Sequence, residues 1–259
     1  MLKSARSQFT HSYQIYIRDK TLRIFIFCST FIILLTLTLK AYAHSKTVTL
    51  ATHNLCPYGC YDEHGEFSGT AVNVVKYAMA QMNFDLRIEV VPWKRAQRMS
   101  YEGDADGFFA ASHSEKRDRN GVMSATIAGQ IWKWYQLKTN TLDPKSDNFK
   151  SEAKVAAFSG SNMLHWLKMN NYNVVAEPPS TKHLMNMLLY ERFDAMLGNN
   201  LTMKRYIAKQ NLAGQIKSTA YKNKPVGVYF SNRFIEAHPG FITEFNKHVN
   251  EYRKQPASP

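Results

Sequence analysis

The sequence lacks the short motifs by which common catalytic and nucleotide-binding sites are recognised. Its 259 residues contain no nucleophile elbow, no glycine-rich phosphate loop and no H-E-x-x-H metal helix. The nominal general acids and bases that remain are His53, Glu63, His113 and Glu115. An enzyme is therefore the disfavoured class, and we assign neither a catalytic residue nor a cofactor.

Acidic residues are also scarce, with 20 against 33 lysines and arginines, which gives a formal net charge of +13. Such an excess favours acidic ligands or anionic surfaces in general. The positive charges are scattered and accompany no nucleic-acid motif, so nucleic acid is not expected as a partner.

Only one long apolar run is present, from Ile24 to Leu39, and at about sixteen residues it is short for a membrane span. It follows a basic stretch and precedes an A-x-A cleavage pattern at residues 41–43. Residues 1–43 are therefore predicted to be a secretory signal peptide, which places the mature chain in the periplasm. The alternative is an uncleaved anchor, because Lys40 interrupts the approach to the cleavage site.

Cysteine is rare, and only Cys56 and Cys60 remain after the predicted cleavage. In an oxidising compartment they are predicted to form a disulfide that closes a small loop. The alternative is a zinc site of His53, Cys56, Cys60 and His64, whose spacing superficially suits that metal. We favour the disulfide and assign no metal, since two free thiols would have to persist outside the cytosol.

The rest of the chain alternates strand and helix patterns in two similar units joined by polar segments, which predicts two lobes. In the first unit the predicted elements are strands at 47–52, 86–90 and 107–111 and helices from 70 and at 93–101. In the second they are strands at 154–158, 173–176 and 193–197 and helices at 162–169, from 181 and at 201–210. A strand at 226–230 and a helix near 242–252 are expected to return to the first lobe. We assign 44–140 and 222–259 to lobe I and 141–221 to lobe II, with hinge crossings near Lys138 to Leu142 and near Ala220 to Pro225.

Residues that follow the carboxyl ends of parallel strands face a crevice in open sheets of this kind. The apolar strand Gly107 to Ala111 runs directly into Ser112 and, five residues later, Arg117, which we expect to bind an anion. A guanidinium suits that role because its planar fork matches a carboxylate and it stays charged when partly desolvated. Ser161 and Asn162 begin a second-lobe helix, whose free amides suit a negative group. The alternatives are that Arg117 is a surface arginine and that Ser112 and Ser161 are simple helix N-caps.

Two aromatic residues, Tyr58 and Trp93, lie in the predicted cleft loops and are expected to stack on the ligand. Trp93 fits the core of a lobe equally well. For Trp93, ligand stacking and packing in the lobe core are therefore both retained as interpretations.

The order and spacing of several motifs resemble those of periplasmic solute-binding proteins of family three, the polar-amino-acid class. The resemblance is carried by "DEHGEFSGTAVNVVKYAMAQMNFDLRIEVVPWKRAQRMSYEGDADGFFAASHSEKR", "VAAFSGSN" and "LLYERFDAMLGNN". It implies an α/β, two-lobed periplasmic-binding-protein fold of type II, in which each lobe is a mixed, mainly parallel sheet flanked by helices. It also implies a monomer that closes on a small amino acid or organic acid and delivers it to an ABC-type permease.

The resemblance assigns the carboxylate-binding arginine of a T-x-x-R motif to Arg117. It also aligns Asn199 with an aspartate that usually pairs with the ligand's ammonium, and Asn73 with a second expected aspartate. Because a buried ammonium without a counter-charge is costly, a carboxylate ligand that lacks an amine is favoured. Asn199 is retained as a ligand-binding residue.

Two other functions are compatible with the same family. A sensory protein closes in the same way but docks on a membrane receptor in place of a permease. The cyclohexadienyl dehydratases resemble this fold used for catalysis, which would require an acid or a base in the cleft.

Overall fold

The structure is a computed structural model that describes residues 46–255. The predicted signal peptide, residues 1–43, lies outside the described residues. The strands are β1 Lys46–Thr52, β2 Cys60–Tyr61, β3 Phe67–Ser68, β4 Phe84–Val90, β5 Gly107–Ser112, β6 Gly121–Met123, β7 Ile131–Leu137, β8 Lys154–Ala157, β9 Asn173–Ala176, β10 Ala195–Asn199, β11 Ile216–Asn223 and β12 Val226–Ser231. The helices are α1 Thr70–Gln81, α2 Trp93–Glu102, α3 Glu115–Asp118, α4 Phe149–Glu152, α5 Asn162–Met169, α6 Thr181–Leu189, α7 Asn200–Lys209, α8 Asn232–Ala237 and α9 Phe241–Lys254. No helix in this range has the length and apolar character needed to cross a membrane.

Two five-stranded sheets of the same plan organise the part of the chain that the structure describes. The first has the order β4-β1-β5-β12-β6 and the second the order β11-β7-β10-β8-β9. In the first sheet β12 pairs antiparallel with both neighbours, and in the second sheet β7 does so. The remaining strands of each sheet share one direction, so the expected mixed, mainly parallel sheets are confirmed. We call the first sheet with α1–α3, α8 and α9 the first lobe, and the second sheet with α4–α7 the second lobe.

The position of β7 differs from the sequence analysis, which counted residues 131–137 with lobe I. β7 pairs with β10 and β11, so the chain passes from the first sheet to the second within residues 124–130 and returns within 224–225. Local pattern does not reveal this, because a strand's partners are set by pairing between distant segments. The exact lobe boundaries stay a prediction.

Burial on both faces explains why the central strands of the first lobe read as continuous apolar runs. All six residues of β5 and all six of β12 are buried, because helices cover both sides of the sheet.

Matching aspartates precede β5 and β10. Asp106 Oδ2 accepts the N–H of Thr49 at 2.8 Å, and Asp194 Oδ2 accepts the N–H of Lys154 at 2.7 Å. In each lobe, this hydrogen bond joins the residue just before one strand to the backbone of the neighbouring strand.

Candidate functional site

The ends of strands from both sheets meet at a cavity between the lobes, which we call the inner cavity. Its volume is about 50 Å³. Its polar residues are His53, Ser112 and Arg117 from the first lobe, Ser161, Asn162, Thr181 and Asn199 from the second, and Gln130 from the connection between the sheets. Trp93 also lines it, so the structure brings six of the seven predicted ligand-binding residues together. Their role in binding stays a prediction.

Arg117 lies on α3, five residues beyond the end of β5, and only 4% of it is exposed. Its Nη1 donates to the carbonyl of Ser112 at 2.6 Å, and its Nε and Nη2 donate to Gln97 Oε1 at 3.4 and 3.3 Å. The guanidinium carbon lies 5.4 Å from the centre of the Trp93 ring. Burial lowers the pKa of Arg117 to about 10, which still leaves it charged at neutral pH. Within the described residues no carboxylate forms an ion pair with it, so a buried cation is available to an anionic ligand.

Hydrogen bonds join the two lobes beside the inner cavity. Asn162 Nδ2, at the start of α5, donates to Ser112 Oγ at 3.1 Å and to the carbonyl of His113 at 2.7 Å. Gln97 Nε2, on α2, donates to the carbonyl of Gly160 at 3.3 Å. Ser112 and Asn162 therefore bind each other across the cleft in this structure.

Two of the predicted residues cap helices as well as lining the inner cavity. Ser161 Oγ accepts the N–H of Leu164 at 3.0 Å at the start of α5. Asn199 Oδ1 accepts the N–H of Thr202 at 2.9 Å at the start of α7. Capping fixes both helices with their N-terminal ends, which carry partial positive charge, beside the cavity.

The two predicted aromatic residues have different environments. Trp93 is buried within the first lobe but lines the inner cavity, and its ring lies 4.4 Å from the ring of His53. Tyr58 is 0% exposed, packs in the core of the first lobe and donates its hydroxyl to the carbonyl of Gly129 at 3.0 Å. Tyr58 is not part of the cavity wall as the structure has it, because its ring points into the core.

His53 is a cavity residue that the sequence analysis considered only as a metal ligand or an acid-base group. It is 7% exposed, and its Nδ1 is a buried polar atom without a hydrogen-bond partner among the described residues. Burial, together with the nearby positive charge of Arg117, lowers its pKa to about 3. The ring is therefore neutral at physiological pH, and its Nδ1 hydrogen-bonding capacity is not used by any described residue.

Three further residues of the site were missed. Phe158 lines the inner cavity and follows β8 directly, so the rule about strand ends could have found it. Gln97 lies one turn beyond Trp93 on α2. Gln130 lies in the connection between the sheets, where the sequence has no local signal.

A β-bulge lies in β5 shortly before Ser112 and Arg117. The register between β5 and β12 shifts at Gly227/Val228, and the extra residue on β5 is Ala110, which has φ 61°. The left-handed conformation costs roughly 1–2 kcal/mol for a residue with a Cβ. Bulges of this kind re-aim the residues that follow them, here Ser112 and the turn to Arg117. Ala110 itself lines the inner cavity.

The predicted disulfide between Cys56 and Cys60 is present. The two sulfurs are therefore not free thiolates, and the described residues contain no group of three or more His, Cys, Asp or Glu side chains that could hold a metal ion. Of the nominal acids and bases, Glu63, His113 and Glu115 are exposed and lie off the wall of the inner cavity.

Solved structures with the same architecture include a histidine kinase sensor domain described as similar to periplasmic binding proteins. It has a TM-score of 0.71 and 15% identity, and the match covers 81% of this chain and 91% of that one. The holo form of ArgBP from T. maritima has a TM-score of 0.68 at 15% identity, covering 81% and 92%. A substrate-binding protein of an ABC uptake transporter from Streptococcus pneumoniae, with bound histidine, has a TM-score of 0.69 at 11% identity, covering 80% and 87%.

These similarities confirm the type II periplasmic-binding-protein fold that the motif resemblance implied. Comparison with protein-family models and with curated proteins finds no match.

Proposed function

We propose that the protein is a periplasmic binding protein that closes on a small carboxylate without an ammonium group and delivers it to an ABC-type permease. The observation that carries this proposal is Arg117, a buried cation on the wall of the inner cavity that no carboxylate of the described residues neutralises. A ligand carboxylate would supply the missing charge and bind the guanidinium by charge-assisted hydrogen bonds.

The remaining wall of the inner cavity argues for the absence of an amine. None of the described residues that line it is acidic, and Asn199 already uses its side-chain oxygen to cap α7. An ammonium buried there would lack a counter-charge, which is expensive. Trp93, Phe158 and Met203 on the same wall favour a ligand with an apolar body.

Closure of the lobes is the proposed mechanism. The inner cavity of about 50 Å³ is far smaller than the roughly 300–1,000 Å³ of pockets that hold drug-sized ligands, so a ligand enters when the lobes separate. We assign the hinges to residues 124–130 and 224–225, where the chain passes between the sheets. A ligand that contacts both lobes then shifts an open–closed equilibrium towards the closed form.

A sensory function is the second candidate, supported by the similarity to the histidine kinase sensor domain. In that case the closed protein docks on a membrane receptor. Deletion of the gene separates the two functions: a transport protein is required for uptake of the labelled ligand, whereas a sensory protein is required only for the cellular response to it. Catalysis is not proposed, because the pKa of about 3 makes His53 a poor general base at neutral pH and the other nominal acids and bases lie off the cavity wall.

The ligand class is tested with pairs of compounds that differ only in the amine. Binding of 3-phenylpropionate is compared with phenylalanine, and binding of 4-methylpentanoate with leucine, by thermal shift and calorimetry. We expect the compound without the amine to bind more tightly in each pair that binds. Tighter binding of the amino acids would contradict the proposed ligand class.

A further inference from the structure

A second and larger cavity adjoins the inner one, and we call it the outer basic cavity. Its volume is about 350 Å³, which is large enough for a small ligand or part of one. Arg117, Ser161 and Asn162 line both cavities and so form a wall that the two share. A group bound to Arg117 therefore lies next to both spaces.

The wall of the outer basic cavity is strongly positive. Its cationic residues are Lys94, Arg98, Lys116, Arg117 and Lys168, whereas Glu177 is the single acidic residue among the described residues that line it. Burial, followed by the positive charges of Lys116, Arg117 and Arg119, lowers the pKa of His165 on the same wall.

Besides Arg117, two of these cations form no ion pair with a carboxylate of the described residues. Lys168 pairs with Glu177 at 3.0 Å, and Arg98 pairs with Glu102 at 3.4 Å. Lys94 and Lys116 form no ion pair with any residue in the range 46–255. They are contributed by α2 and by α3, so two separate elements bring an uncompensated charge to the same space.

The cavity is built by both lobes together. Gly160, in the turn before α5, has φ +73°, and a Cβ placed on it would lie 2.7 Å from Lys94 Cγ. Glycine thus permits the backbone of the second lobe to approach α2 of the first lobe closely. The N-terminal end of α5, with its free N–H groups, then closes the remaining side. A ligand in this cavity contacts both lobes and favours the closed form.

We infer that the outer basic cavity binds a second anionic group of the same ligand, a carboxylate or a phosphate, so that the ligand carries two separated negative groups. This inference rests on the proposed function, because Arg117 holds the first carboxylate. Lys94 and Lys116 hold the second group, and the apolar part of the ligand occupies the inner cavity.

The test compares compounds that differ by one anionic group. The pairs are 3-phenylpropionate with benzylsuccinate, butyrate with glutarate, and glycerate with 3-phosphoglycerate; the last pair distinguishes phosphate from carboxylate as the second group. We expect the wild-type protein to bind the dianionic member of at least one pair about tenfold more tightly, as calorimetry measures.

The decisive variant is Lys94→Gln/Lys116→Gln, which we expect to reduce that preference to about threefold or less while the affinity for the monoanion stays within about threefold of the wild-type value. Its control is Lys204→Gln/Lys209→Gln, which removes two exposed charges from α7 that line neither cavity and should keep the preference. Thermal unfolding of each variant verifies folding.

An unchanged preference in the folded Lys94/Lys116 variant overturns the inference, as does wild-type protein that binds no dianion more tightly than its monoanionic partner. The proposed function fails differently, through tighter binding of the amino acids or through an Arg117 variant that still binds the monoanion normally. The two failures are therefore distinguishable.

Discussion

Replacing Arg117 with methionine should separate the effect of the buried guanidinium on folding stability from its effect on ligand affinity. The folded-state pKa of about 10, against an ordinary 12.5, corresponds to about 3 kcal/mol for keeping the charge in place. The hydrogen bonds to the Ser112 carbonyl and to Gln97 offset part of that cost. Methionine removes both the cost of the buried charge and these hydrogen bonds, and its side chain fills most of the volume of the arginine side chain. We expect the free energy of unfolding of the ligand-free protein to change by less than about 2 kcal/mol.

Ligand binding should respond quite differently to the same substitution. Loss of a desolvated charge-assisted pair costs about 2–4 kcal/mol, which is roughly a 30- to 1,000-fold rise in Kd. Ligand at 100 times the wild-type Kd stabilises the wild-type protein by about 2.7 kcal/mol, but a variant with a 100-fold weaker Kd by only about 0.4 kcal/mol. Urea unfolding with and without a carboxylate that binds the wild-type protein measures both quantities, and calorimetry measures Kd directly.

Arg119→Met is the matched control, because Arg119 is an exposed arginine two residues further along the chain. It should leave both stability and Kd nearly unchanged. A folded Arg117→Met protein that binds the carboxylate with wild-type affinity would refute the assignment of Arg117. A loss of more than about 4 kcal/mol in the ligand-free variant would refute the energetic argument, since the guanidinium would then be a structural requirement.

Two further predictions concern His53 and Asn162. His53 has a pKa of about 3 in the folded state and 6.5 as its ordinary value, so the unfolded chain takes up the proton first and stability falls as the pH drops from 6.5 towards 3. Between pH 6.5 and 4.5 the wild-type protein should lose about 2 kcal/mol more than His53→Gln in urea unfolding; identical pH profiles for wild type and His53→Gln would disprove the assignment. Asn162→Ala removes two hydrogen bonds between the lobes and should weaken ligand binding about five- to tenfold while X-ray scattering shows a more open ligand-free protein. Unchanged scattering and affinity would show that these bonds do not control closure.

Much of the site could be predicted because its residues follow strand ends. Ser112 ends β5 and Arg117 follows it, Ser161 follows β8, and Asn199 ends β10, so a general rule about parallel sheets places them at one cleft. The same rule does not say which way a loop side chain points. Tyr58 lies in such a loop, but its ring is packed in the core.

Residues that act through distant partners could not be predicted. Gln97 was predicted only as part of the helix at 93–101, yet it binds the guanidinium of Arg117 and the backbone of the second lobe. The membership of β7 in the second sheet was missed for the same reason, because β-pairing joins segments that are far apart in sequence. Neither relationship leaves a periodic pattern in the residues themselves.

The sequence by itself predicted seven of the twelve described strands, the longer helices, the disulfide and six residues of the inner cavity wall. These follow from periodicity, turn chemistry and strand ends, which act over a few neighbouring residues. Only the tertiary structure decided that no carboxylate of the described residues pairs with the buried Arg117, that none of these residues hydrogen-bonds to His53 Nδ1, and that Lys94 and Lys116 line one cavity. The reason is that burial and uncompensated charge depend on how the two lobes dock.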